Sequence, residues 1–252
     1  MRIHRRVMSK GSVIFSLAAG LAACGSNDTI DSKDVNPEAL YGEYTADFNA
    51  DAGREELFVQ FRVGGSTGTT VRLNDPAKVE ANSQRLLEQG GTSSIINLIG
   101  TYYGLTTYKP APEDSVTFVW TRDDKKTFQN VVVMAKPVSI GSPEADLKQS
   151  RKNDLKIEVT GDELLSGETF EAELRSQQTK KDETTVTILW KRIQSGRTII
   201  FAATDLNNFA TGAATLVVRR LKPQNVQQGH DREGGVLSSR FQSKAVSITM
   251  TE

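Results

Sequence analysis

The sequence predicts an all-β protein of two antiparallel β-sandwiches, and three observations predict it. Apolar residues recur with a period of two along almost the whole chain, the pattern of half-buried antiparallel strands. Turn-forming stretches separate these runs at spacings near ten residues, as in sandwiches and barrels. A seam with two prolines, "AKPVSIGSPEADLKQSRKND" (135–154), has few apolar residues and no sustained period. It leaves a block of about 95 residues before it and one of about 110 after it, each the size of one sandwich.

The chain opens with Arg2, Arg5, Arg6 and Lys10 and has no acidic residue before Asp28. An apolar run from Val13 to Ala23 follows. Basic start, short apolar run and small residues are the order of a secretory signal. The run falls short of the roughly 20 residues that cross a bilayer. It ends at Cys24, the only cysteine. An exported protein with one free reactive thiol would be unusual, and Leu21-Ala22-Ala23-Cys24 resembles the lipobox of bacterial lipoproteins. That resemblance implies cleavage after residue 23, a diacylglycerol on the Cys24 sulfur and an acyl chain such as palmitate on its new amine. Multiple chains hold stably where a single one holds only marginally. Cys24 is therefore expected to be a membrane anchor. Gly25 stands where an aspartate would, in Gram-negative lipoproteins, favour inner-membrane retention, so the outer membrane is the expected location. Residues 24–40 are polar and lack periodicity, and read as a flexible tether with a reach on the order of 20 Å.

The first block, 41–136, carries alternating stripes at Tyr44, Ala46 and Phe48, then at Leu57, Val59, Phe61 and Val63. Val71 with Leu73 follows a glycine-rich turn, "GGSTGTT". "AKVEANSQRLLEQGG" invites a helical reading, but Val79, Ala81 and Ser83 alternate well enough to favour a strand. Val116, Phe118 and Trp120 share one face, and Asn130, Val132 and Met134 another. In the second block, 137–252, the stripes are Leu155, Ile157 and Val159, then Phe170, Ala172 and Leu174, then Val186, Ile188 and Trp190. A denser run, "RTIIFAA", is followed by Leu216 with Val218, and by Val246, Ile248 and Met250. Phe61, Trp120 and Trp190 are the expected aromatic anchors of the cores. The blocks also echo one another: "GEYTADF" at 42 is like "GETFEAEL" at 167, and "SVTFVWTR" at 115 is like "AATLVVRR" at 213. A duplicated domain would place its echoes in this order.

The succession "FRVGGSTGTTVRLNDPAKVEANSQRL", "VTFVWTRDDKKTFQNVVVMAKPVSIGSP", "RKNDLKIEVTG" and "EGGVLSSRF" is similar to uncharacterised bacterial lipoproteins with tandem immunoglobulin-like sandwiches. The resemblance covers about 41–250. It implies an immunoglobulin-like form for both sandwiches and brings no catalytic residues with it. The disulfides of some such proteins have no counterpart here, so burial alone must hold each sandwich.

Composition narrows function. Removing residues 1–23 takes four of the 31 basic residues and no acidic one, leaving 27 against 31, a balance of −4. No basic excess or stripe exists to displace counterions, which argues against nucleic acid as a partner. Beyond the signal one histidine remains, His230 in "QQGHDREGG", and it reads as a solvated loop residue beside Asp231. A serine triad would depend on it, and no Gly-x-Ser-x-Gly elbow is present. One histidine and a lipidated cysteine exclude zinc sites built from His and Cys. No phosphate-cradling loop ends in Lys and Ser/Thr. Sheets can bring any two carboxylates together, but nothing in the sequence marks such a pair. No catalytic residue and no cofactor are expected.

"DFNADAGREE" has the one ligand-like spacing: Asp47, Asn49 and Asp51 sit two apart, as oxygen ligands of a calcium loop can. The match to an EF-hand loop fails at Ala52, where glycine is required, and at Phe58, where a bidentate glutamate belongs. The competing reading is a hairpin turn at "NADAG". Two function classes follow. One is a non-enzymatic envelope lipoprotein that binds or scaffolds another envelope protein. The alternative is a carbohydrate-binding or adhesive module that stacks sugars on exposed tyrosines, with Tyr102, Tyr103 and Tyr108 in "GTYYGLTTY" as candidates. Alternation puts Tyr102 and Tyr103 on opposite faces.

Overall fold

The computed structural model describes residues 4–8, 29–90, 100–180 and 183–252. Cys24 and most of the expected signal lie outside the described residues. In chain order the strands are β1 (His4–Met8), β2 (Thr29–Asp31), β3 (Leu40–Asn49), β4 (Arg54–Val63), β5 (Thr69–Arg72), β6 (Lys78–Ala81) and β7 (Gln84–Arg85). Then come β8 (Leu87–Gln89), β9 (Tyr102–Tyr108), β10 (Ser115–Thr121), β11 (Thr127–Val133), β12 (Val138–Ser142), β13 (Leu147–Ser150) and β14 (Leu155–Gly161). The set ends with β15 (Thr169–Lys180), β16 (Glu183–Ile193), β17 (Thr198–Phe201), β18 (Gly212–Asn225), β19 (Gly235–Gln242) and β20 (Val246–Thr251). The one α-helix among the described residues, α1 (Ala203–Leu206), is a single turn. The protein is all-β.

Two compact units emerge. Among the described residues, one comprises 29–90 and 100–135 with Lys222–Arg240, the other 4–8, Lys136–Leu221 and Phe241–Glu252. The sequence reading placed 222–240 in a second sandwich of 137–252, and this is corrected. Side chains explain why that segment joins the first unit. Asn130, fully buried in β11, accepts from the Gln227 and Gln228 amides at 2.7 and 3.2 Å. Gln224 and Gln227 each exchange two hydrogen bonds with the backbone of β11, at Val133 and Val131. Gln228 accepts from the Gln129 amide. Glutamine amides thus stand in for a neighbouring strand along the open edge of β11, which would otherwise offer a row of unpaired backbone groups.

The first unit is a sandwich. In one sheet β19, β3 and β4 lie side by side, with β9 and β5 on the far side of β4, β8 beside β9 and β2 beside β5. The other sheet runs β11, β10, β6, β7. Strict alternation in β3 buries Leu40, Tyr44, Ala46 and Phe48 between the sheets, against Phe118 and Trp120 of β10. The stretch that invited a helical reading forms β6, β7 and β8. The expected tether is shorter than supposed. Ile30 pairs with Val71 in a parallel ladder, and Ser32 is buried, accepting from the Asn74 amide and donating to Asp123. Backbone pairing, which needs no apolar pattern, fixes Thr29–Asp31 and Leu40, and two 3-10 turns, Ser32–Asp34 and Pro37–Ala39, lie between them.

The second unit is also a sandwich. One sheet runs β16, β15, β18, β20, β13, its last pair parallel; the other runs β12, β14, β17. The seam is therefore not a bare linker, because it supplies β12 and β13. Residues His4–Met8 pair antiparallel with β16, from His4↔Ile188 to Met8↔Thr184. Phe170, Ala172 and Leu174 are buried as expected, but the next stripe is reversed. Thr187 and Leu189 face the core, whereas Trp190 is 42% exposed. Register decides this: Leu174 lies opposite Leu189 and Glu173 opposite Trp190, and directly opposed residues share a face. The Arg219 guanidinium, 4.9 Å from the Trp190 ring, covers that outward indole. Trp190 is no core anchor, although Phe61 and Trp120 are.

The internal echo does not survive in topology. β3 and β10, which carry the first pair of motifs, belong to opposite sheets, whereas β15 and β18 are direct neighbours in one sheet.

Candidate functional site

β9 carries all three candidate tyrosines, and the pleat divides them. Tyr103 turns inward; its hydroxyl accepts the Leu73 amide at 2.6 Å, and burial pushes its pKa up to about 12. Tyr102 and Tyr108 share the outward face. Tyr108 is 76% exposed, but six residues along a strand put it about 20 Å from Tyr102. Tyr102 borders a cleft.

That cleft, about 470 Å³, lies on the outer face of the sheet formed by β3, β4, β9 and β8. Its size falls within the range of small-ligand sites. Phe58 and Tyr102 form an aromatic pair along it, with centroids 5.1 Å apart and planes 31° from parallel. Gly104 lies opposite both Phe58 of β4 and Leu87 of β8, and its missing side chain leaves room beside the Tyr102 ring. Thr45 and Asp47 of β3, Glu56 of β4, Gln89 of β8 and Thr106 of β9 add polar groups. Asp47 is ion-paired to Arg240, and Glu56 to Arg54 at 2.9 Å. Sequence reasoning missed Phe58, Gly104 and Gln89. The available signal was Phe58 itself, an aromatic residue on the polar phase of a strand whose Leu57, Val59 and Phe61 face inward.

The calcium candidates serve other ends. The Asn49 carboxamide oxygen accepts from the Asp51 and Ala52 amides at 2.9 and 3.1 Å, which builds the turn between β3 and β4. Asp47 faces Arg240 on the outer sheet face, and Asp51 lies in the turn. No group of three His, Cys, Asp or Glu able to hold a metal occurs among the described residues.

His230 requires the largest correction. It is not a solvated loop residue but a core residue, 3% exposed. Its ring lies parallel to the Trp120 indole at 5.2 Å. Nδ1 stands 2.8 Å from the Leu40 carbonyl, which can only accept, so Nδ1 carries the proton and Nε2 accepts from the Tyr44 hydroxyl at 2.8 Å. Gly42 makes the space, because a Cβ there would overlap the imidazole. Both nitrogens are occupied, and the Tyr44 hydroxyl is itself buried and held well above its ordinary pKa. The pair is sealed from any substrate.

Burial lowers the His230 pKa below 6.5, against the smaller opposing effects of the Leu40 carbonyl and Asp231. The unfolded chain therefore binds a proton at a pH where the folded chain does not. Stability contributed by neutral His230 is fully present above pH 6.5 and falls as pH drops from there toward the folded-state pKa. Urea unfolding of protein lacking residues 1–23, whose one histidine is His230, should show this decline between pH 7 and 5. A flat profile across that interval would count against the buried assignment.

No protein-family model matches the chain, and no curated protein matches it. Among solved structures, the fibronectin(III)-like modules of Clostridium thermocellum CbhA align over 81% of this chain and 94% of theirs, at 10% identity and a TM-score of 0.24. An alignment that loose carries neither fold nor function across.

Proposed function

We propose that the protein is a non-enzymatic binding lipoprotein of the bacterial cell envelope, anchored through lipid on Cys24 in the outer membrane. The basic start, the short apolar run and the lone thiol in "LAAC" support the anchor. The observation that carries the binding role is the open cleft with its Phe58–Tyr102 pair, on a rigid sheet that presents side chains rather than a reactive group. The histidine that catalysis would need is locked in the core. A scaffold for another envelope protein fits this description. A carbohydrate-binding or adhesive role is the second reading, favoured by the ring pair.

Changing Cys24 to serine should release the protein from the membrane fraction and abolish labelling by a fatty-acid analogue. Processed Cys24→Ser protein that stays in the membrane fraction would overturn the anchor.

A further inference from the structure

We infer that the cleft on the outer face of β3, β4, β9 and β8 binds neutral glucans, with Phe58 and Tyr102 as the stacking platform and Gly104 as the space that admits the sugar. This rests on the carbohydrate reading above and fixes its site and ligand class.

The chemistry of the wall selects the ligand. A sugar with equatorial hydroxyls presents C–H groups on both ring faces and O–H groups around its rim. The ring pair meets the faces, because aromatic rings carry negative charge on their π faces and attract C–H edges. Phe58 and Tyr102 already lie against one another, so a ligand packing on them orders little that is not ordered already. Around the rings stand acceptors for the rim: the carboxylates of Asp47 and Glu56 and the carboxamide of Gln89. Arg240 and Arg54 hold the two carboxylates in place. An ionised carboxyl group offers about four acceptor positions, so Glu56, half exposed, retains sites for sugar hydroxyls.

Asp47 and Glu56 are each matched by an arginine, so the wall carries no cationic excess to draw acidic glycans. The position on the sheet disfavours peptides. A peptide recognised by strand addition needs an open edge, whereas this cleft lies on a face whose backbone is already bonded, with β4 paired to β3 on one side and to β9 on the other. Gly104 decides access. A Cβ there would meet Gln89 Cγ at 3.5 Å and Tyr102 Cε2 at 3.6 Å, ordinary contacts that leave the fold intact. A larger side chain would fill the room beside the Tyr102 ring.

The test is native affinity electrophoresis of the full, detergent-solubilised protein through gels containing hydroxyethyl cellulose, laminarin or polygalacturonate. Retardation by at least one neutral glucan and none by polygalacturonate is expected. Tyr102→Leu, which keeps apolar volume but loses the ring, and Gly104→Val should each weaken retardation at least tenfold, with unchanged melting temperature. Tyr108→Ala should leave it unchanged. No retardation by either neutral glucan overturns the inference, as does retardation indifferent to Tyr102→Leu and Gly104→Val, or equal retardation by polygalacturonate. The membrane fractionation of Cys24→Ser is independent of all these outcomes, so the glycan site can fail while the anchored binding protein stands.

Discussion

Replacing Glu168 with alanine should destabilise the unit built on Lys136–Leu221 by about 3–5 kcal/mol, the usual cost of stripping one partner from a buried ion pair. Arg220 is fully buried in β18, and its guanidinium has few partners. Nε donates to Glu168 Oε2 at 2.9 Å, and the same oxygen accepts from a terminal nitrogen. The carbonyls of Asp162 and Glu163 accept from the two terminal nitrogens at 3.0 and 2.6 Å. Phe170 closes one side, 5.7 Å from the guanidinium carbon. Without Glu168 the cation keeps only neutral acceptors, in a place where water cannot replace the lost carboxylate. The Leu165 amide, which donates to the same carboxylate at 3.0 Å, loses its acceptor too. The double change Glu168→Leu with Arg220→Met should recover most of the loss, since apolar residues of similar volume often replace such pairs without penalty. Urea unfolding followed by circular dichroism measures both. A loss below about 1 kcal/mol for the single change would contradict a sealed pair.

Gly42→Ala should cost the other unit about 2–5 kcal/mol, from steric overpacking together with broken hydrogen bonds. The new methyl would overlap the His230 ring and stand 2.9 Å from Tyr44 Cε2. The imidazole cannot retreat, because Trp120 lies parallel to it and Phe61 stacks at 6.1 Å. Moving the ring would break its bonds to Leu40 and Tyr44 together and leave buried polar atoms unpaired. Thermal melting gives the loss directly. In the same variant the decline of stability below pH 6.5 should shrink, because a displaced and hydrated histidine has a pKa nearer its ordinary value. A variant with wild-type melting temperature and the same pH profile would refute the close fit.

These two sites show where sequence patterning stops being informative. Period-two stripes at Tyr44–Phe48, Val116–Trp120 and Phe170–Leu174 were legible because half-burial writes itself into alternate residues of one strand. The same rule misled at β16. There Val186, Ile188 and Trp190 form the better apolar stripe, yet the register with β15 turns Leu189 inward and leaves Trp190 to Arg219. His230 was illegible for a related reason. Its neighbours are polar, and what buries it is Trp120, Phe61 and the absent side chain of Gly42, all remote in sequence. The tether was misjudged because Thr29–Asp31 is held by backbone pairing, which any side chains allow. At the cleft, Tyr102 followed from alternation, but its partner Phe58 lies on another strand and only the register of β4 with β9 joins them.

The composition of the first unit has a consequence in time. Its sandwich needs residues 222–240 as well as those between 29 and 135, so the ribosome delivers its last strand only after almost all of the other unit. At about 5–20 residues per second, roughly 5–20 s separate residue 135 from residue 240. During that interval β3 lacks its neighbour β19, the edge of β11 lacks its glutamines, and Trp120 lacks the imidazole that stacks on it. The N-terminal half is thus born unfinished, and its sandwich closes only when the C-terminal residues arrive.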